Sequence, residues 1–334
     1  MKKLLLIVLL ALAAGCESLS YYSQAVFGQL GLLNSARPVD AWLADPATPP
    51  ALRGQLQVAR SIREFATAQL ALPANGSFAS YAELDRPYPV WNVYAAPRFS
   101  VEPKRECFPF TGCVAYRGFF SEDEARRHAA KLRGEGYDVF VGGVPAYSTL
   151  GWFDDPLLSS FIAYPDAQLA RLMFHELAHQ RVYLKGDTTF NESFAVTVEE
   201  EGVKRWLEAA GRGSELEALR AARLRRQEFA ARVAALRATL AGLYRENIPE
   251  ADMEKRKQDE YAKLRAAYPS IPAEANNAYL ASIAVYTELV PQFQALLGNC
   301  GGDLKEFYER VAALADSKRD VRAALTSAGC RRTS

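Results

Sequence analysis

Leu172-Met-Phe-His175-Glu176-Leu-Ala-His179-Gln180 is the stretch that orders the reading of the whole chain. Residues four apart on an α-helix lie on nearly the same face, so a helix here sets His175 and His179 side by side. Two imidazoles at that spacing form a ligand pair for zinc, and Glu176 adds a carboxylate next to them. Such a carboxylate can take a proton from an attacking water and later pass it to a leaving amine. Leu172, Leu177 and Ala178 are apolar, so the helix can be buried. The chain has three histidines, and two of them fall in this pattern. His128 lies in a polar helical segment and reads as a surface residue.

A catalytic zinc site has three protein ligands and one open position, so a third ligand must follow. Lys185-Gly-Asp187 marks a turn, and Asn191-Glu192-Ser-Phe-Ala195 lies in the next helical segment. Glu199 lies seven positions after Glu192, on the same helix face. In a tight helical hairpin either carboxylate can reach the histidines; Glu200 and Glu201 read as solvated. A developing oxyanion needs a donor, for which the chain offers Tyr147, Tyr183, Tyr279 and Tyr286. Tyr286 is the preferred one, because its apolar C-terminal helix can close over the site. Asp154 or Asp155 can pair with a substrate α-amino group, although the same two residues before Pro156 also read as a turn cap.

The pattern His175-Glu-x-x-His179 followed by Asn191-Glu192-x-x-Ala195 resembles the gluzincin metallopeptidases, which include thermolysin-like enzymes and the aminopeptidase N family. More closely, the chain resembles the bacterial "putative aminopeptidase" family of exported proteins. That likeness is carried by Trp152-Phe-Asp-Asp-Pro156, His175-Glu-Leu-Ala-His-Gln180 and Phe190-Asn-Glu-Ser-Phe-Ala195, with less specific matches in Cys107–Phe120 and Asn276–Phe293. The resemblance implies one zinc ion held by His175, His179 and Glu192, with Glu176 as general base. Glu199 then orients a histidine N–H, and a peptide substrate lies along a sheet edge near Gly142-Gly143 and Val144. Two departures matter. The twelve residues between His179 and Glu192 are fewer than in the better-known gluzincins, whose gap Glu199 fits better. The GxMEN exopeptidase motif is absent. A zinc endopeptidase processing envelope proteins is therefore a rival reading. A non-catalytic structural or binding lipoprotein stabilised by zinc is another; Glu176 argues against it, since a purely structural site has no use for a base.

Outward from the motif, the N-terminus reads as an export signal. Met1-Lys2-Lys3 is basic, Leu4 to Ala14 is apolar, and Gly15-Cys16 follows. Eleven apolar residues are too few to span a bilayer core of about 30 Å. Leu12-Ala-Ala-Gly-Cys16 resembles a bacterial lipobox, so Cys16 is expected to carry a lipid anchor; a plain secretory signal is the alternative. Glu17 at the second mature position points, by lipoprotein sorting rules, to the outer membrane and its periplasmic face. Export implies an oxidising compartment. Of three connectivities for the other cysteines, the local one, Cys107 with Cys113 and Cys300 with Cys330, is the simplest. With 40 basic and 39 acidic residues, the chain offers no electrostatic reason to bind nucleic acid.

The fold class expected is α+β and predominantly helical: a small mixed β-sheet packed on a zincin-type active-site helix, with a C-terminal helical bundle. Residues 1–15 form the signal peptide and 16–89 an N-terminal helical region. Residues 90–165 form a small β-sheet/α subdomain, where Val90–Ala95, Cys113–Phe120 and Tyr137–Val141 carry the β-branched and aromatic residues of strands. Ser121-Glu-Asp-Glu124 is a capping box for a covering helix. Residues 166–334 form the helical subdomain with the zinc site, and within it 214–265 reads as a long hairpin with a solvated charged face.

Overall fold

Two consecutive helices carry both sequence motifs, and the rest of the protein is arranged around them. The computed structural model describes residues 21–108, 112–317 and 320–330; the leader Met1–Gly15 and Cys16 lie outside the described residues. The first part contains α1 (21–35), β1 (Arg37–Pro38), α2 (Val39–Ala44), α3 (Pro50–Leu70) and β2 (Ser80–Ala82). Next come β3 (Val90–Pro97), β4 (Glu106–Phe108), β5 (Gly112–Val114), β6 (Tyr116–Phe119), α4 (Glu122–Gly134), β7 (Tyr137–Val144) and β8 (Leu157–Leu158). The motif helices are α5 (Asp166–Arg181) and α6 (Thr188–Ala209). After them run α7 (Gly213–Leu243), α8 (Glu250–Ala267), α9 (Asn277–Thr287), α10 (Val290–Asn299), α11 (Leu304–Ala315) and α12 (Val321–Ser327). The architecture is α+β and predominantly helical.

Local chemistry sets the α5–α6 turn. Val182 leaves α5 in an extended conformation, and Gly186 takes φ +84°, a region that glycine adopts without steric cost. The Asp187 carboxylate then caps α6 by accepting from the Phe190 N–H at 3.0 Å. Asn191 clasps the loop: its side-chain oxygen accepts from Leu184 N–H at 2.7 Å, and its amide donates to the Leu184 carbonyl at 2.9 Å. Further along, α6 approaches α5 and α3 so closely that a Cβ at Gly202 would lie 2.7 Å from the Phe174 ring and 2.8 Å from Leu70. Phe174, Phe190, Phe194 and Phe293 complete this packing, in a core shared with Leu56 and Ile62 of α3 and Phe307 of α11.

The sheet β6-β3-β7 is antiparallel, and β3 pairs with β7 from Val90↔Val144 to Pro97↔Tyr137. Side chains alternate across it. Trp91, Val93 and Ala95 pack on Ala125, Ala129 and Leu132 of α4, whereas Tyr94 and Ala96 face Ala278 of α9. Ser121 accepts from Glu124 N–H at 3.4 Å, as its capping-box spacing predicts. A second, mixed sheet, β1-β2-β8, joins Arg37–Pro38 antiparallel and Leu157–Leu158 parallel to Ser80–Ala82. Its first two strands interrupt a stretch expected to be helical, because pairings of two or three residues are too short to leave a period in the sequence. Among the described residues no helix is long and apolar enough to cross a membrane.

The disulfides are Cys107–Cys113, which closes the β4–β5 hairpin, and Cys300–Cys330, which ties the end of α10 to the residues after α12. The second closes 30 residues, and constraining a loop of that length in the unfolded chain is worth about 3.6 kcal/mol. Reduction, or Cys330→Ser, is expected to lower the unfolding midpoint by several degrees in a thermal melt.

Candidate active site

His175 and His179 lie one turn apart on α5 with ring planes at 84° and Nε2 atoms 3.2 Å apart. From α6, Glu192 brings Oε2 to 3.2 Å from His175 Nε2 and 3.5 Å from His179 Nε2. Three donors from three side chains thus form a nearly equilateral triangle. A tetrahedral zinc ion with bonds of about 2.0–2.1 Å has donor–donor edges of about 3.3–3.4 Å, so the triangle fits one face of such an ion. Hydrogen bonding alone explains it less well, since an Nε2–Nε2 contact uses one donor and one acceptor and leaves no second proton for the carboxylate. His175, His179 and Glu192 can hold a metal ion.

The electrostatics favour a cation. Burial pushes the Glu192 carboxyl up, but His179 and His175 outweigh it and hold the group at about 2. Burial pushes His175 down, and the hydrogen bonds to Glu192 and Glu199 reverse that and carry it well above its ordinary value. Glu199 sits two turns beyond Glu192 and places Oε2 at 2.9 Å from His175 Nδ1. Its other oxygen accepts from Arg171 Nε at 2.5 Å. The two glutamates that sequence left in competition therefore meet opposite nitrogens of His175. Partners of that kind fix ring orientation and are worth about 10–100-fold in metal affinity. Glu199→Gln is expected to weaken zinc binding in that range in a competition titration with a chelator.

Glu176 is buried beside the triangle and lines a cavity of about 1140 Å³. Burial raises its carboxyl, against the lowering influence of His175 and His179. A base that holds its proton more tightly is better matched to moving one near neutral pH. The far wall is α7, which turns Ala222, Ala230 and Ala234 towards the cavity. Charged residues of the same helix, Glu217 and Arg220 among them, are exposed. Glu200, expected to be solvated, accepts instead from Arg226 (3.2 Å), Arg223 (3.3 Å) and Gln294 (2.9 Å) because α7 and α10 cover it. Glu201 pairs with Lys204 and Arg205.

Of the four tyrosines considered, Tyr286 lines the cavity, its ring centroid 6.2 Å from that of His175. After burial, the Glu192 charge is the largest influence raising its hydroxyl. Tyr183 also feels Glu192. Tyr147 donates to Gln29 on α1, and Tyr279 packs on Phe140; neither lines the cavity. Two tyrosines that sequence reading missed join the group. Tyr94 of β3 and Tyr116 of β6 lie close enough to Tyr286 to raise its hydroxyl, and Tyr116 packs on Tyr94 at 5.3 Å. The signal was present in the alternation of β3, which puts Asn92 and Tyr94 on the face opposite Trp91, Val93 and Ala95. His128 is half-buried, its ring centroid 5.3 Å from that of Phe119.

Asp154 and Asp155 are not brought to the cavity wall. Asp154 accepts from the Gly76 N–H at 2.9 Å, and Asp155 from the Thr149 N–H at 2.9 Å and hydroxyl at 2.8 Å. Asp155 is buried, and burial raises its carboxyl from 3.8 to about 6 despite those two bonds. The folded protein thus keeps a proton that the unfolded chain has lost between those two values. Stability from this group is therefore present at low pH and falls as pH rises through that window. Each unit of displacement is worth about 1.4 kcal/mol. Asp155→Asn retains an acceptor without the charge, and should be more stable than the parent by about 2–3 kcal/mol at pH 7 but equal to it at acidic pH, in urea titrations at both.

Fold and cluster together define a predominantly helical α+β protein with a buried His–His–Glu group able to hold a metal ion, facing a large cavity. A family model described as "Putative aminopeptidase" matches residues 20–325, and the chain belongs to that family. Membership points to a peptidase, a hydrolase of peptide bonds. No curated protein and no solved structure matches the chain.

Proposed function

We propose that the protein is a zinc-dependent peptidase of the gluzincin type, aminopeptidase-like, that works in the bacterial envelope on a lipid anchor at Cys16. The observation carrying the chemistry is the triangle of His175, His179 and Glu192 donors, 3.2–3.5 Å apart, with Glu176 beside it on the cavity wall. Zinc in that position supplies a Lewis acid that polarises a carbonyl and acidifies water. The protein supplies the rest. Glu176 takes a proton from the attacking water and delivers it to the leaving amine. Tyr286 donates to the oxyanion. The covering helix α7 limits water around these charges, which strengthens every interaction among them.

A strict aminopeptidase must also bind a free α-ammonium group. Glu199, Glu200 and Glu288, the other carboxylates on the cavity wall among the described residues, are each engaged by arginines, and Asp154 and Asp155 are held in their turn. That observation favours the second reading, an endopeptidase acting on envelope proteins. Matched peptides with free and acetylated N-termini separate the two: cleavage confined to free peptides supports the aminopeptidase, and equal cleavage supports the endopeptidase. The anchor is tested by mass spectrometry of the mature N-terminus from membranes, where Cys16 should carry acyl chains and an unmodified Cys16 would sink it.

A further inference from the structure

We infer that the outward face of α1 lies in the surface of a lipid bilayer, next to the anchored N-terminus. The helix has two distinct faces. Its inner face is fixed to the protein: Gly28 sits where a Cβ would clash with Phe120, Gln24 accepts from Phe120 N–H at 3.0 Å, Tyr147 donates to Gln29, and Leu32 enters the core. A helix on a water-facing surface should carry polar residues on the other side. Here the other side carries Tyr22, Val26, Phe27 and Leu30, which are 39% to 72% exposed. At 100° per residue these four fall within an arc of about 140°, so they form one strip. Contiguous exposed apolar surface of this kind marks an interaction site.

Two features identify the occupant as lipid. From Ser18 to Ala36 the chain carries no charged side chain, so the strip has no electrostatic partner to select. Six positions separate Cys16 from Tyr22, a reach of at most about 20 Å even when fully extended. An acyl-bearing Cys16 therefore holds α1 at the membrane surface, where an apolar helix face is buried in the headgroup and acyl boundary. A second exposed apolar pair, Trp152 and Phe153, lies on the loop that follows Tyr147, whose hydroxyl contacts α1. The inference leans on the anchor reading for its geometry, but it is tested without the anchor.

The chain begun at Glu17 holds the whole described fold and no acyl chain. In flotation with vesicles of phosphatidylethanolamine and a minority of phosphatidylglycerol, it should bind, and high salt should not release it. Phe27→Ser with Leu30→Ser should lower partitioning by at least about tenfold, with the thermal midpoint unchanged because both side chains are exposed. Phe27→Leu should bind as the parent does. Absence of parent binding overturns the inference, as does equal binding by the double variant. A parent dimer that the double variant converts to monomer, without vesicle binding, assigns the strip to a second copy instead. Acylation of Cys16 is read separately by mass, so the two ideas fail independently.

Discussion

Glu176→Gln is expected to lower peptide hydrolysis by about a hundred- to ten-thousand-fold while leaving the bound metal in place. Gln keeps the size of the side chain and one acceptor oxygen, so the buried helix face should pack as before. It cannot accept the proton of the attacking water, and that proton transfer is the step assigned to this residue. Because Glu176 lies outside the His175–His179–Glu192 triangle, zinc content should stay at about one ion per chain. The loss should appear in kcat, with KM little changed, since substrate is bound before the proton moves. Parental turnover in this variant would remove Glu176 from the mechanism.

His175→Ala carries the other large effect, and it should act on the metal first. His175 is the one residue that touches the whole group: its Nε2 faces Glu192 and His179, and its Nδ1 faces Glu199. Without it, only two donors remain from the triangle, too few for a structural or catalytic zinc site. Metal content should fall to background, and activity with it. Removing one partner from a buried charged group is also expensive, at about 3–5 kcal/mol. Glu199 keeps Arg171 and Glu192 keeps His179, so the variant should fold with a lowered thermal midpoint. Added zinc should restore neither activity nor midpoint, in contrast to Glu199→Gln, where excess zinc should restore both.

The active-site helix was the most legible part of the sequence because its chemistry is local. An i, i+4 histidine pair needs only a helix to converge, and the Ser121 capping box likewise specified its own hydrogen bond. Glu192 against Glu199 was not decidable in that way. Both lie on one face of α6, and the choice depends on the reach of a six-residue loop whose clasp, Asn191 on the Leu184 backbone, is visible only once folded. Tyr94 and Tyr116 were missed for a related reason. They come from strands, far from the motif in sequence, and reach Tyr286 only because α9 packs on the face of the sheet that bears Asn92 and Tyr94. The charge-rich segment after Gly213 was read from composition alone. Composition does not distinguish an arginine in water from one paired with Glu200 under a covering helix. The two-residue strands β1 and β8 have no sequence signature, being held in register by their partner β2.

Zinc K-edge absorption spectroscopy on the purified chain tests most directly whether the three side chains converge on one ion. The expected first shell has two imidazole nitrogens and light oxygen ligands at about 2.0–2.1 Å, with no sulfur, and the imidazole signature should weaken in His179→Ala. A shell containing sulfur, or one unchanged in both His179→Ala and Glu192→Gln, would contradict the account.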